Sequence, residues 1–284
     1  MNTFLRSTCF LLCLTGLAGA ELTRGPYVQM PDTNGVTLIW QTKIPQPSRV
    51  DFGLTTDCAD GHITLTNSSR EHIAVVPGLA VGSNYFYRID GKDFELRTRR
   101  TAEQTLRFAV IGDFGFMLPG TKKIARQVNA AGVDLLITVG DNVYPSGERD
   151  NYDPYLFRPY APTLSRAAFF PVLGNHDIVT ENGQPFLDNF HLPANGPAGQ
   201  IERSYSFDYG PAHFVAIDSN PFATGSNAVM QVIVDWLKAD LAATQQPWKF
   251  VYCHHPAYTS TADHGETLTV KQQLMPRSEE HTSE

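Results

Sequence analysis

Residues 169–177 read Phe169-Phe170-Pro171-Val172-Leu173-Gly174-Asn175-His176-Asp177, and this stretch decides the fold. The first five are apolar and predict a buried strand over 169–173. A glycine ends the strand, and an amide, an imidazole and a carboxylate follow at once. The glycine permits a sharp exit turn, so the polar groups can reach inward instead of running on along the strand. Three other places in the chain repeat the plan. A strand over 106–111 runs into Gly112-Asp113-Phe114-Gly115. A second over 135–139 runs into Gly140-Asp141-Asn142-Val143-Tyr144, and a third over 248–253 runs into His254-His255-Pro256. Helical spacing occupies 121–131 and 227–243, and runs at 204–207 and 213–217 flank Tyr209-Gly210-Pro211 as a hairpin. Alternating strands and helices argue an α/β domain. Polar residues just past the carboxyl ends of such strands converge on one edge of the sheet.

Upstream, residues 22–100 read as all-β. Runs rich in β-branched and aromatic residues at 36–41, 49–52, 62–66, 72–76, 85–89 and 94–97 are separated by turn residues such as Asp90-Gly91. Regular spacing of this kind predicts a small β-sandwich. Its His62 and His72 fall on strand patterns and read as surface residues rather than ligands. A polar linker covers 99–105. Residues 1–20 read as a signal peptide: Arg6 supplies positive charge, 10–17 is an apolar run too short to span a bilayer, and Ala18-Gly19-Ala20 is a small-x-small cleavage site. The mature chain, from Glu21, is therefore expected to be secreted or periplasmic, with no membrane attachment after cleavage. At the other end, residues 277–284 read RSEEHTSE, which matches the translation of a common sequencing-adapter read, and they are set aside as a non-native tail.

Of the 284 residues, 42% are apolar and 18% charged, the balance of a folded chain and not of a disordered one. A formal charge of −7 with no basic run argues against nucleic acid as a partner. An acidic surface does not exclude an anionic substrate where metal cations sit in the pocket. Cys9 and Cys13 leave with the signal, and Cys58 and Cys253 are expected to be free, packed thiols.

Singly, each strand-end motif has an ordinary explanation. Asp113 and Asp141 could cap helices, Tyr144 could be a packed aromatic beside Pro145, and Asn175 could sit in a turn. Together, and in this order, the motifs resemble the metallophosphoesterase superfamily, and within it the purple acid phosphatases. Tyr144 after the second motif and Gly115 in place of a histidine in the first favour that branch. Arg24-Gly25-Pro26-Tyr27 also looks like the opening of that family's N-terminal domain. The resemblance runs from Leu22 to Pro276. It implies a fibronectin-III-like all-β sandwich over 21–100, followed by a layered α-β-β-α metallophosphoesterase domain over 105–276.

The same resemblance implies a dinuclear metal centre. Asp113 and Tyr144 would bind iron(III), Asp141 would bridge, and Asn175 and His254 would bind zinc(II), manganese(II) or iron(II). The residue types suit this division, since a hard trivalent ion prefers oxygen while a divalent ion accepts imidazole and amide. His176 would contact the phosphoryl group, with Asp177 orienting it. His264 matches a family histidine that protonates the leaving alkoxide; its bland alternative is an exposed loop histidine. His255 reads as a supporting residue, and His191 and His213 as surface or packed ones. The implied reaction is hydrolysis of a small phosphate monoester by a hydroxide held between two ions. A phosphodiesterase or nucleotide-cleaving relative is the alternative among enzymes, and a non-catalytic secreted binding protein the alternative outside them. One departure stands out: the family's closing Gly-His-x-His, one histidine per metal, is absent from the sequence. Its expected place lies beyond Pro276, so the α/β domain is expected to be incomplete at its C-terminus, with weak metal retention and little activity.

Overall fold

Hydrogen-bonded pairing, more than local composition, sets the strand boundaries of the N-terminal region. The computed structural model describes residues 21–30, 35–116, 118–260 and 265–276; the expected signal peptide, the adapter-like tail and His264 lie outside the described residues. β1 (Leu22–Gln29) pairs antiparallel with β2 (Gly35–Gly53), which pairs in turn with β3 (Gly61–Pro77). β2 carries both strands expected over 36–41 and 49–52, and β3 both expected over 62–66 and 72–76. Lys43 to Gln46 and the two prolines Pro45 and Pro47 read locally as a break. The pairing instead crosses this stretch through register shifts on either side of Gln46, an irregularity of the kind that tolerates proline. β4 (Asn84–Ile89) and β5 (Lys92–Arg97) complete the region, with β4 on the second half of β2.

These strands have a core of their own, built on Leu38, Trp40, Val50, Tyr87, Ile89 and Leu96. They do not stand apart as a closed sandwich. β1 also joins the α/β region, pairing in parallel through Val28 and Ala168 with β8 (Ala168–Val172), and Tyr27 and Ile39 contribute to the α/β core. His72 differs from expectation as well. It is fully buried, stacked on Trp40 at 5.1 Å between ring centroids, with Nε2 3.0 Å from the Thr42 hydroxyl.

In the α/β region β6 (Phe108–Ile111), β7 (Leu135–Val139) and β8 (Ala168–Val172) run parallel, giving the order β5-β4-β2-β1-β8-β7-β6 with β3 also on β2. A second sheet has the order β11-β10-β9, from β9 (Tyr205–Tyr209), β10 (Ala212–Ile217) and β11 (Trp248–Cys253). β9 is antiparallel to β10 and β11 parallel to it, so both sheets are mixed. The described helices include α1 (Pro119–Ala130), α2 (Arg158–Leu164), α3 (Gln184–Asn189), α4 (Asn220–Thr224), α5 (Asn227–Ala243) and α6 (Leu268–Gln273).

The sheets meet through aromatic rings. Phe170 stacks on Phe207 at 3.7 Å, and Phe108 meets Phe214 and Phe250 edge-on at 5.4 and 5.3 Å. Alternation along β10 then sorts its side chains. Phe214 and Ala216 face this shared core, while Val215 and Ile217 pack with Ile233, Val234 and Leu237 of α5. Ala125 and Val128 of α1 and Tyr160 and Leu164 of α2 bury against the first sheet. Cys58 and Cys253 are free thiols, as expected. Among the described residues no helix is long and apolar enough to cross a membrane.

Candidate metal centre

The carboxyl ends of β6, β7, β8 and β11 open onto one cleft of about 660 Å³, lined among others by Asp113, Asp141, Tyr144, Asn175, His176 and His254. The turns that bring them there are tight. Asp113 and Asp141 both adopt left-handed backbone conformations, with φ of 55° and 52°. Such conformations are uncommon outside glycine and cluster where surrounding structure enforces them. Two glycines make room for the convergence. A Cβ on Gly140 would lie 2.8 Å from the Cβ of His254 and from the Cα of Gly174, and one on Gly174 would collide with the Asp141 carboxylate.

The side chains form a connected set. Asp141 is buried. Its Oδ1 accepts from the backbone N–H of His176 at 2.9 Å, and its Oδ2 accepts from the Tyr144 hydroxyl at 2.7 Å. That hydroxyl is also 3.1 Å from Oδ1 of Asp113. His254 Nε2 lies 2.9 Å from Oδ1 of Asn175 and 3.5 Å from Oδ1 of Asp141. Ligand atoms of Asp113, Asp141 and His254 all lie within 4.8 Å of one another, a spacing at which one ion can bind all three.

The hydrogen-bond balance of this set fits a cation. His254 Nδ1 lies 2.9 Å from the carbonyl oxygen of Val139, which can only accept, so the ring proton sits on Nδ1. Without a second ring proton, Nε2 points a lone pair at the oxygens of Asn175 and Asp141. Three acceptors then converge with no proton between them, a cost that a metal ion removes. Tyr144 shows the same imbalance. Burial pushes its phenol well above the usual tyrosine range, and the hydrogen bond to Asp141 and the charges of Asp141 and Asp113 push it further. A cation bound between those carboxylates reverses the charge terms and favours the phenolate as a ligand.

Asp177 and His176 are neighbours in sequence with separate surroundings. Asp177 is fully buried, and its oxygens accept from the backbone N–H groups of Gly174 at 2.8 Å, Asn142 at 3.0 Å and Val143 at 3.2 Å, and from Asn142 Nδ2 at 2.9 Å. Burial lifts its pKa to about 6, and these N–H groups oppose that rise. The expected support of the His176 ring by Asp177 is not what the geometry provides. His176 Nδ1 donates instead to the carbonyl of Pro145 at 2.5 Å, which leaves Nε2 facing the cleft 4.0 Å from Asp141 Oδ2. Asp177 ties the turn after β7 to the turn after β8.

Asn142 completes that tie and was passed over in the sequence. Its Nδ2 also reaches the carbonyl of Val172 at 2.8 Å, and its Oδ1 accepts from the Thr138 hydroxyl at 2.5 Å. The signal was an amide directly behind Asp141, which reads from sequence as part of a turn. Phe116 and Thr267, which also line the cleft, were passed over too. His255 lies behind His254, its Nδ1 2.8 Å from Ser219 Oγ, and burial followed by the nearby His254 pushes its pKa down to about 4.

Two mixed sheets face to face, with carboxylate, phenol, amide and imidazole groups gathered beyond strand ends, define the class: an α/β protein with a candidate metal site at its sheet edge. More narrowly, the chain belongs to the calcineurin-like phosphoesterase family, whose sequence profile matches residues 106–277. Among curated proteins it is 25% identical over 286 residues to human acid phosphatase type 7, covering 89% of this chain and 64% of that protein. It is 24% identical over 257 residues to purple acid phosphatase 23 of Arabidopsis thaliana, covering 76% and 55%. To pig tartrate-resistant acid phosphatase type 5 it is 25% identical over 213 residues, covering 63% and 62%. The chain thus spans little more than half to under two thirds of the length of these relatives. Among solved structures, a purple acid phosphatase from yellow lupin seeds superposes with a TM-score of 0.66 at 16% identity, over 87% of this chain and 53% of that one. The structure titled PhoD gives 0.67 at 12% identity, over 93% and 69%. Both likenesses concern the fold.

Proposed function

We propose that this protein is a secreted or periplasmic phosphatase that hydrolyses small phosphate monoesters at a dinuclear metal centre in the cleft. One observation carries the reading: His254 Nε2 faces only oxygens, within reach of a buried carboxylate that itself reaches Tyr144. Asp113 and Tyr144 would hold one ion, iron(III), by oxygen donors. Asn175 and His254 would hold a divalent ion, zinc, manganese or iron(II), and Asp141, between the two groups, would contact both. When bound, such a pair of cations supplies electrophilic activation of the phosphoryl group and of the attacking water.

The chain's own groups do the rest. Asp177 and Asn142 hold the two turns in register. His176, with Nδ1 donating to Pro145, turns Nε2 to the cleft, and with a proton on both ring nitrogens it would donate to a phosphoryl oxygen and take up charge as phosphorus is attacked. His264 is assigned to the leaving alcohol, where a proton is needed as the ester bond breaks. These five donors alone would leave two ions short of ligands, and further donors would have to complete their coordination.

The full-length protein reconstituted with iron and zinc should be coloured, with a tyrosinate-to-iron absorption band that disappears in Tyr144→Phe. A colourless protein that nonetheless retains iron would overturn Tyr144 as a ligand. Release of para-nitrophenol from its phosphate monoester, and not from the bis-ester, tests monoester choice.

A further inference from the structure

Phe116 lies three residues past Asp113 and lines the same cleft. Its ring stacks on that of Tyr144, 3.8 Å between centroids and 14° between planes, and Tyr144 tilts against His176 at 4.4 Å. The three rings form a column. Its inner members reach Asp113 and Asp141 through the Tyr144 hydroxyl, and its outer member, Phe116, keeps 38% of its surface exposed.

An exposed phenylalanine alone means little. This one is held in place: its N–H donates to the Phe114 carbonyl at 2.6 Å, and its carbonyl accepts from the Thr121 hydroxyl, at the start of α1, at 2.6 Å. Its backbone is therefore anchored on both sides of the ring, which rests on Tyr144. The described residues lining the cleft also include no lysine or arginine. A second phosphate on a substrate would meet no basic side chain there, whereas a planar aromatic group would meet a fixed ring one stacking distance from the metal-facing tyrosine.

We infer that Phe116 is the stacking surface for an aromatic leaving group, and that it adds a binding preference for aryl over alkyl phosphate monoesters to the one that the acidity of phenols already gives. This rests on the phosphomonoesterase reading. The reaction is unchanged: the water oxygen bonds to phosphorus, the bond from phosphorus to the aryl oxygen breaks, and the phenol departs with the proton assigned above to His264, which a proton of the attacking water replaces, leaving inorganic phosphate. Stacking of this kind amounts to about a tenfold preference.

The test is calorimetric titration of the metal-loaded full-length protein with phenylphosphonate and methylphosphonate, neither of which is hydrolysed. It is paired with kcat/KM for phenyl phosphate and ethyl phosphate, in the wild type and in Phe116→Leu. The variant should bind phenylphosphonate about tenfold more weakly and methylphosphonate within about twofold of wild type, with the same split in kcat/KM. Equal weakening toward both phosphonates means that the ring only braces Tyr144, and no weakening toward either means that it contacts no ligand; each result overturns the inference. If the wild type binds both phosphonates but Phe116→Leu leaves their ratio unchanged, the phosphatase reading survives and this inference alone fails. If the wild type binds neither and hydrolyses neither ester, both fall together.

Discussion

Two clusters of histidine and aspartate occupy the α/β region, and they balance charge in opposite ways. In the first, His213 on β10 lies between Asp208 and Asp240, with Nδ1 and Nε2 each 2.7 Å from a carboxylate oxygen. The Ser206 hydroxyl donates to the other oxygen of Asp240 at 2.6 Å, and Gln246 Nε2 to the other oxygen of Asp208 at 3.3 Å. Every polar atom has a partner of the right kind, and the ring is a strut between β9, β10 and α5 whose charged form both carboxylates favour. In the second, at the sheet edge, Asp113, Asp141, Asn175 and His254 bring acceptors together without enough donors. The same residue types make a closed structural joint in one place and an open, acceptor-rich cluster in the other. What distinguishes them is the count of donors against acceptors, which follows from which backbone groups claim each ring nitrogen.

The sharpest way to break this comparison is to remove the carboxylate at the centre of the open cluster. On the phosphatase proposal, Asp141→Ala should lower kcat/KM of the full-length protein by at least about two orders of magnitude, because the two proposed cations share this carboxylate and would together activate water and the phosphoryl group. Metal content by mass spectrometry should fall in parallel. Retention of both metals and of activity would show that Asp141 is not shared between them. Asp240→Asn, in the closed cluster, should leave kcat/KM within about twofold of wild type.

Metal removal should separate the clusters next. An ion that binds only the folded state at one hundred times its dissociation constant adds about 2.7 kcal/mol of stability. A chelator should therefore lower the melting temperature of the wild type by several degrees and leave that of Asp141→Ala unmoved. His213→Gln should respond to the chelator as the wild type does, since nothing in the closed cluster calls for an ion. Equal chelator sensitivity of wild type and Asp141→Ala would place the stabilising ion elsewhere.

Much of the open cluster was legible because its signals are local. A strand, a glycine and then a ligand are adjacent in sequence, and the apolar runs at 135–139 and 248–253 and the helical pattern at 227–243 coincide with β7, β11 and α5. The features that escaped depend on distant partners. β1 was not expected as a strand, since Gly25 and Pro26 interrupt it, and its pairing with β2 and β8 decides it. His72 is buried because Trp40, on the paired strand, covers it. Asp177 was matched with the histidine beside it, yet apart from the N–H of Gly174 its partners are amides on the turn after β7, more than thirty residues away. Whether a polar group in such a motif touches metal or holds a neighbouring loop depends on the facing chain, which motif spacing does not contain.

The smallest expected effect belongs to the closed cluster and is read through pH. Burial alone would lower the His213 pKa, but the hydrogen bonds to Asp240 and Asp208 outweigh it, and the net direction is upward. A histidine whose folded pKa exceeds its unfolded value contributes stability that is complete below the ordinary histidine range, near pH 6.5. That contribution is lost as the pH rises through the raised folded value. Charge-assisted hydrogen bonds of this kind contribute about 2 kcal/mol, tempered here by the partial exposure of Asp208. His213→Gln should therefore melt about 5 °C below wild type in mild acid, and the gap should narrow steadily as the solution is made alkaline. A gap that stays constant with pH would mean that the ring acts by packing alone. A gap that widens would mean that the imidazole is neutral in the fold, and the contrast with His254 would lose its electrostatic basis.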